Sequence, residues 1–199
     1  MPNTILDPPP HTAPTVFTRA LLDWLPWLEP LAVEALSERH MAALVDAARA
    51  KSAYFRLLAR DPGALKARTL TDKDIFYNPD AGLPRAEREL VAAATSRFNG
   101  CIYCASVHSR FAATYSKRED DVQRLLDDGV GADLGDRWNA IVAAAVALGS
   151  TPMAFGPQHV ERLRGVGLDD LAIADVIHAA AFFNWANRLM LSLGEPAAT

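Results

Sequence analysis

The Asn99-Gly100 pair constrains the fold of this chain more than any other feature, because it separates two apolar-periodic stretches of helical length. Upstream, Pro84 to Phe98 sets Leu90, Val91, Ala94 and Phe98 along one stripe, with proline suited to the first helical position. Downstream, a second pattern opens at Cys101 and runs through Val107, Phe111 and Tyr115. An Asn-Gly break between two such patterns predicts two helices folded back on each other. Further helical patterns are expected at Val16 to Trp24, Ser37 to Arg60, Thr71 to Phe76, Ser116 to Asp128, Gly135 to Leu148, Pro157 to Arg164 and Asp169 to Leu193. No segment shows sustained strand alternation between turn signals, so the expected fold class is an all-α helical bundle. Residues 1–15 are proline-rich and are expected to form an extended arm or disordered tail, leaving 16–199 as a single domain.

The helix hairpin decides which polar residues meet. The chain has two cysteines, Cys101 and Cys104, and both open the second helix. At about 100° per residue they share a face with His108, and Cys104 and His108 form an i, i+4 pair in side-chain contact. Thiols at i and i+3 of a first helical turn are close enough to close a disulfide. The thiolate is the reactive form of cysteine, and a helix N-terminus or a neighbouring histidine lowers a thiol pKa. Folding the first helix back across Asn99-Gly100 sets Glu89 beside these residues, where its carboxylate can orient His108 or exchange protons with it. Two cysteines, a histidine and a glutamate are also a tetrahedral zinc donor set. A metal has little room between residues of one short helix, so the dithiol reading is preferred and no metal or cofactor is expected.

The string Arg85-Ala86-Glu87-Arg88-Glu89-Leu90-Val91-Ala92, then Asn99-Gly100-Cys101-Ile102-Tyr103-Cys104 and His108, resembles a known family. It is similar to the alkylhydroperoxidase AhpD-like proteins of the carboxymuconolactone decarboxylase superfamily, and within it to the peroxidase-related group. Phe183-Asn184-Trp185-Ala186-Asn187-Arg188 followed by Leu193-Gly194 resembles that group's C-terminal signature, so the likeness runs from about residue 40 to 194. The resemblance implies an AhpD-like bundle acting as a cysteine-dependent peroxidase or thiol-disulfide oxidoreductase on a small hydroperoxide. In it Cys104 attacks the peroxide, Cys101 resolves the sulfenic acid, His108 is the base and Glu89 the relay acid. It also implies an external dithiol reductant, lipoyl-bearing or thioredoxin-like, and a symmetric homo-oligomer. One position departs from the pattern: where the family's peroxidases carry a second histidine, this chain has Tyr103, and a phenol is a poor base near neutral pH. The decarboxylase branch lacks the cysteine pair, which counts against lactone decarboxylation.

Local physics divides the thiols. Cys101 is nearer the helix N-terminus, whose dipole contributes roughly 0.3–1 kcal/mol at exposed sites. Cys104 has His108 one turn away, and general acid–base help is typically worth about 10²–10⁴-fold in rate. The histidine therefore favours Cys104 as the attacking group. The rival to an enzyme is a redox-sensing or assembly protein whose disulfide changes oligomer contacts without useful turnover.

A net charge of -4 gives no reason to expect nucleic acid or an anionic membrane as a partner. Apolar runs such as Ile141 to Leu148 are too short to span a bilayer, and Met1 to Pro10 lacks the basic-then-apolar pattern of a secretory signal. A dithiol with no other cysteine fits a reducing compartment, so a cytoplasmic location is expected. His178 falls in an apolar pattern and is expected to be a hydrogen-bonded core histidine, while His11, His40 and His159 lack local partners. Trp24, Trp27, Phe182, Phe183 and Trp185 default to core packing, and Asn184, Asn187 and Arg188 to anchoring helices or subunits. The aromatic-rich segments at 16–27 and 169–193 offer more apolar surface than one small bundle buries, which also predicts a homo-oligomer.

Overall fold

The computed structural model describes residues 5–199. In chain order the elements are β1 (Leu22–Pro26), α1 (Glu38–Leu44), α2 (Ala53–Leu58), α3 (Pro62–Tyr77), α4 (Arg85–Phe98), α5 (Ile102–Ser116), α6 (Glu119–Asp127), α7 (Asp136–Gly149), α8 (Pro157–Gly165), α9 (Asp170–Leu193) and β2 (Gly194–Ala198). The fold is all-α apart from one small two-stranded sheet. Helix α4 is its axis. Every residue from Glu87 to Ser96 is buried, so α4 is covered on all sides, by α5, α7 and α9 above all. The consecutive alanines 92–94 let those helices approach closely around Leu90, Val91, Ile141, Val176 and Phe183. A smaller cluster of Trp24, Tyr54, Leu57, Cys101, Cys104 and Met190 lies beside this core.

The turn between α4 and α5 forms for a local reason. Gly100 has φ +79, and the Cys101 amide donates to the Ser96 carbonyl at 2.9 Å, the six-to-one bond of a Schellman cap. Cys101 is thereby both the residue that closes α4 and the N-cap of α5. A Cβ at Gly100 meets no atom within 4 Å, so substitution costs backbone strain alone. Gly100→Ala is expected to lower stability by about 1–2 kcal/mol, the cost of a left-handed residue with a side chain. A shifted denaturant midpoint with unchanged slope checks this.

Several expectations are corrected. Val16 to Trp24 is not helical: Leu22–Pro26 forms a strand whose antiparallel partner is the C-terminal Gly194–Ala198, with Trp24 opposite Pro196. Each strand is five residues long and its partner lies at the other end of the chain, so no local alternation marks either. A Cβ at Gly194 would overlap the Leu25 carbonyl and the Trp24 ring, which is why glycine opens β2. The helix expected over 37–60 is broken at Val45, whose φ is +65, and Asp46 then caps a short 3₁₀ turn at Ala47–Lys51 before α2 begins. Asp61-Pro62 is a start and not only a stop. Asp61 Oδ1 accepts from the Gly63 and Ala64 amides at 3.1 Å, and α3 runs from Pro62 to Tyr77 rather than over 71–76 alone. Lys117, at φ +62, delays α6 to Glu119. His178 is exposed on α9 and not in the core.

His40 and His159 have partners after all: His40 closes a capping box with Ser37, and His159 Nδ1 accepts from the Gly156 amide at 3.1 Å. Of the arm expected at 1–15, residues 1–4 lie outside the described residues, and 5–15 are neither helix nor strand. The Leu6 amide donates to the Trp27 carbonyl at 2.8 Å, and Thr12 accepts from the Ala198 amide at 2.9 Å. Among the described residues no helix is long and apolar enough to cross a membrane.

Candidate active site

Glu89 lies on the face of α4 that meets α5, one residue pair away from Glu87, which points the other way into a bidentate pair with Arg137 of α7. Glu89 is 1% exposed and carries two partners. Arg85, one turn earlier, donates to Glu89 Oε1 from Nε at 2.7 Å, and His108 Nδ1 lies 2.6 Å from Oε2. Arg85 donates to one Glu89 oxygen, and the other accepts from His108 Nδ1, which places the ring proton on that nitrogen. Nε2 is left with its lone pair and has no hydrogen bond among the described residues. The imidazole is held from both sides, stacked on Phe76 at 5.1 Å and edge-on to Phe183 at 4.3 Å. Arg85 is fixed in turn by the Phe76 carbonyl and by the faces of Tyr77 and Tyr115.

Both cysteines are buried and unpaired by disulfide. They interact with each other: Cys101 is pulled below the ordinary thiol range by a hydrogen bond from Cys104, against burial, with further help from the Cys104 amide and the Asn187 side chain. Cys104 is pushed up because its proton is held in that bond and its sulfur is buried beside Cys101. Within the reduced pair the shared hydrogen bond favours the thiolate on Cys101 and the proton on Cys104. A thiolate absorbance titration is expected to resolve one ionisation below the usual cysteine range and a second well above it, and Cys104→Ala is expected to move the first back upward. Tyr103, at the position that departs from the family pattern, is raised chiefly by burial and stays a neutral phenol.

The sulfurs face different spaces. Cys104 lines a cavity of about 220 Å³ together with His108, Glu89, Tyr54, Phe76 and Arg68. Cys101 lines a second one of about 210 Å³ with Trp24, Gly100, Met190 and Pro196, under the two strands. Tyr103 borders both. All four residues expected from the sequence meet in this region. Sequence reading missed Arg85, Arg68, Tyr54 and the contact of Asn187 with the thiols; only Arg85 carried a signal, its i, i+4 spacing to Glu89. The C-terminal asparagines do anchor helices. The Asn99 side-chain amide donates to Asn184 Oδ1 and Asn187 Oδ1, and Asn187 donates to Ser96 Oγ at 2.9 Å. Among the described residues no three His, Cys, Asp or Glu side chains converge as a metal-ligand set.

Residues 62–147, which include α4, the turn and α5, match the carboxymuconolactone decarboxylase family. The structure is similar to the alkylhydroperoxidase AhpD core of an uncharacterized peroxidase-related protein from Ralstonia eutropha, with a TM-score of 0.69 and 24% identity over 82% of this chain and 87% of that one. The fold is AhpD-like, and the segment that matches the family carries α4, the turn and α5. A second peroxidase-related protein of this fold, from Silicibacter sp., has a TM-score of 0.63 and 25% identity over 72% of this chain and 75% of that one. The debrominase Bmp8 in complex with 2,3,4-tribromopyrrole shares the fold at a TM-score of 0.62 and 18% identity, over 82% of this chain and 87% of that one, so proteins of this fold differ in chemistry. No curated protein matches the chain in sequence.

Proposed function

We propose that this AhpD-like protein is a cysteine-dependent peroxidase that reduces hydroperoxides and is itself reduced by a dithiol. The observation that carries the reading is the chain Arg85–Glu89–His108, which ends on a free imidazole nitrogen in the cavity lined by Cys104. His108 Nε2 takes the Cys104 proton, and the Cys104 sulfur attacks the distal peroxide oxygen. The O–O bond breaks, Cys104 becomes a sulfenic acid, and the imidazolium returns the proton to the departing alkoxide. Cys101, already the favoured thiolate, then attacks the Cys104 sulfur, forming the disulfide and releasing hydroxide, which is protonated to water. The lowered Cys101 pKa serves resolution in this scheme, and the Cys104 proton is the one the leaving group needs.

The cycle closes when an external dithiol, lipoyl-bearing or thioredoxin-like, reopens the disulfide in a reducing cytoplasm. Thiol titration of the purified protein is expected to yield two thiols per chain only after reductant, with no stoichiometric metal; one zinc per chain surviving dialysis would sink this. A homo-oligomer is part of the reading, supported by exposed Leu70, Leu171, Trp185 and Leu191 on α3 and α9, and light scattering that finds a 21.6 kDa particle at micromolar concentration would refute it. The deciding assay is steady-state consumption of a hydroperoxide with dihydrolipoamide as reductant. Continued turnover supports the enzyme, whereas one stoichiometric oxidation supports the redox sensor.

A further inference from the structure

Arg68 of α3 is 9% exposed, lines the Cys104 cavity and makes no hydrogen bond among the described residues. Its Nε and Nη1 are buried without an acceptor, and so is the Tyr54 hydroxyl beside it. Asp72 lies 3.6 Å from Arg68 Nη1 and 3.6 Å from Arg49 Nη2, beyond hydrogen-bond reach of either, so one carboxylate is spread between two guanidinium groups. The rings of Phe55 and Phe182, 5.5 and 5.3 Å from the Arg68 guanidinium carbon, attract the cation but accept no conventional hydrogen bond. A buried guanidinium with idle donors is costly unless an acceptor arrives. Arg85, in the same cavity, differs because its donors are used by Glu89 and Phe76.

We infer that Arg68 and Tyr54 bind a carboxylate carried by the substrate, which makes the cavity a site for a small organic hydroperoxide acid. This rests on the peroxidase reading for the reacting end of the molecule, and on the arginine alone for the other end. At about 220 Å³ the cavity falls below the ~300–1,000 Å³ typical of drug-sized ligands, so a short-chain or single-ring acid fits. The lining of Phe55, Phe76, Val107, Phe111 and Phe183 receives its apolar body. With the carboxylate on Arg68, the hydroperoxide group is presented to Cys104 and His108. The reaction is then the one above: the acid hydroperoxide becomes the hydroxy acid, the two thiols become a disulfide plus water, and a dithiol reverses the oxidation.

The test has one arm without turnover and one with it. In calorimetric titration of the reduced protein, benzoate is expected to bind about tenfold to hundredfold more tightly than benzamide, the range for a hydrogen bond to a charged group. That preference is expected to vanish in Arg68→Met and to shrink in Tyr54→Phe. In steady state, ω-hydroperoxyhexanoate is expected to exceed its methyl ester in kcat/KM by a similar factor, and Arg68→Met is expected to equalise the two. Equal binding of benzoate and benzamide to the wild type overturns the inference, even if Arg68→Met does not fold, and so does a benzoate preference that survives that substitution. If benzoate binds selectively through Arg68 but neither hydroperoxide turns over, the carboxylate site stands and the peroxidase reading falls. If both hydroperoxides turn over equally, the peroxidase stands and the carboxylate site falls.

Discussion

Cys104→Ser is expected to abolish reaction with hydroperoxides, while Cys101→Ser reacts once and accumulates a sulfenic acid at Cys104. The charge distribution of the reduced pair points the other way at first sight, since Cys101 is the better thiolate. Access decides against it. Cys104 shares its cavity with His108 and Glu89, whereas Cys101 opens to the space under the strands, where among the described residues Glu195 and the neutral phenol of Tyr103 are the other titratable groups on the wall. A thiolate without a proton source for the departing alkoxide forgoes general acid help, typically about 10²–10⁴-fold. Lower pKa also means lower intrinsic nucleophilicity, so the ground-state advantage of Cys101 is partly cancelled. Dimedone trapping followed by peptide mass spectrometry reads the outcome directly. An adduct on Cys101 in Cys104→Ser, with none on Cys104 in the reciprocal variant, would reverse the assignment.

His108→Ala is expected to slow sulfenic acid formation by about 10²–10⁴-fold, and Glu89→Gln by less. The alanine variant removes both the acceptor for the Cys104 proton and the donor to the alkoxide. In the glutamine variant Arg85 still claims the side-chain oxygen, so the amide N–H turns toward His108 Nδ1 and drives the imidazole proton to Nε2. That tautomer still donates to a leaving group but no longer accepts from Cys104, so only half the relay is lost. The pH profile separates the two roles. Because Cys104 is held protonated by burial and by Cys101, single-turnover rates of His108→Ala are expected to climb with pH as hydroxide replaces the missing base. A His108→Ala variant that reacts at the wild-type rate across neutral pH would exclude the relay.

The thiol pair, its helix and the Glu89–His108 contact were legible in the chain because they depend on short-range rules. A 3.6-residue apolar period on each side of Asn99-Gly100 determines a helix hairpin, and the hairpin alone brings Glu89 to His108 across one turn of chain. The Arg85–Glu89 pair is likewise an i, i+4 contact within α4. Asp61-Pro62 carried its signal too, in a sequence that both ends one helix and caps the next.

Other features depend on residues that only the folded chain brings together. β1 and β2 pair across nearly the whole sequence, and neither is long enough to show alternation by itself. Tyr54 from α2 and Arg68 from α3 reach the Cys104 cavity through packing against α5 and α9, and nothing in their own neighbourhoods distinguishes them from other core-edge residues. Which sulfur faces which cavity also follows from packing, because Cys101 and Cys104 share a helical turn but have different walls around them. Local spacing determined that a dithiol, a histidine and a carboxylate meet, with Cys104 one turn from the imidazole; the tertiary structure decided which space each sulfur opens to and left a guanidinium without a hydrogen-bond acceptor in the Cys104 cavity, because burial and charge pairing depend on every element that closes around a site.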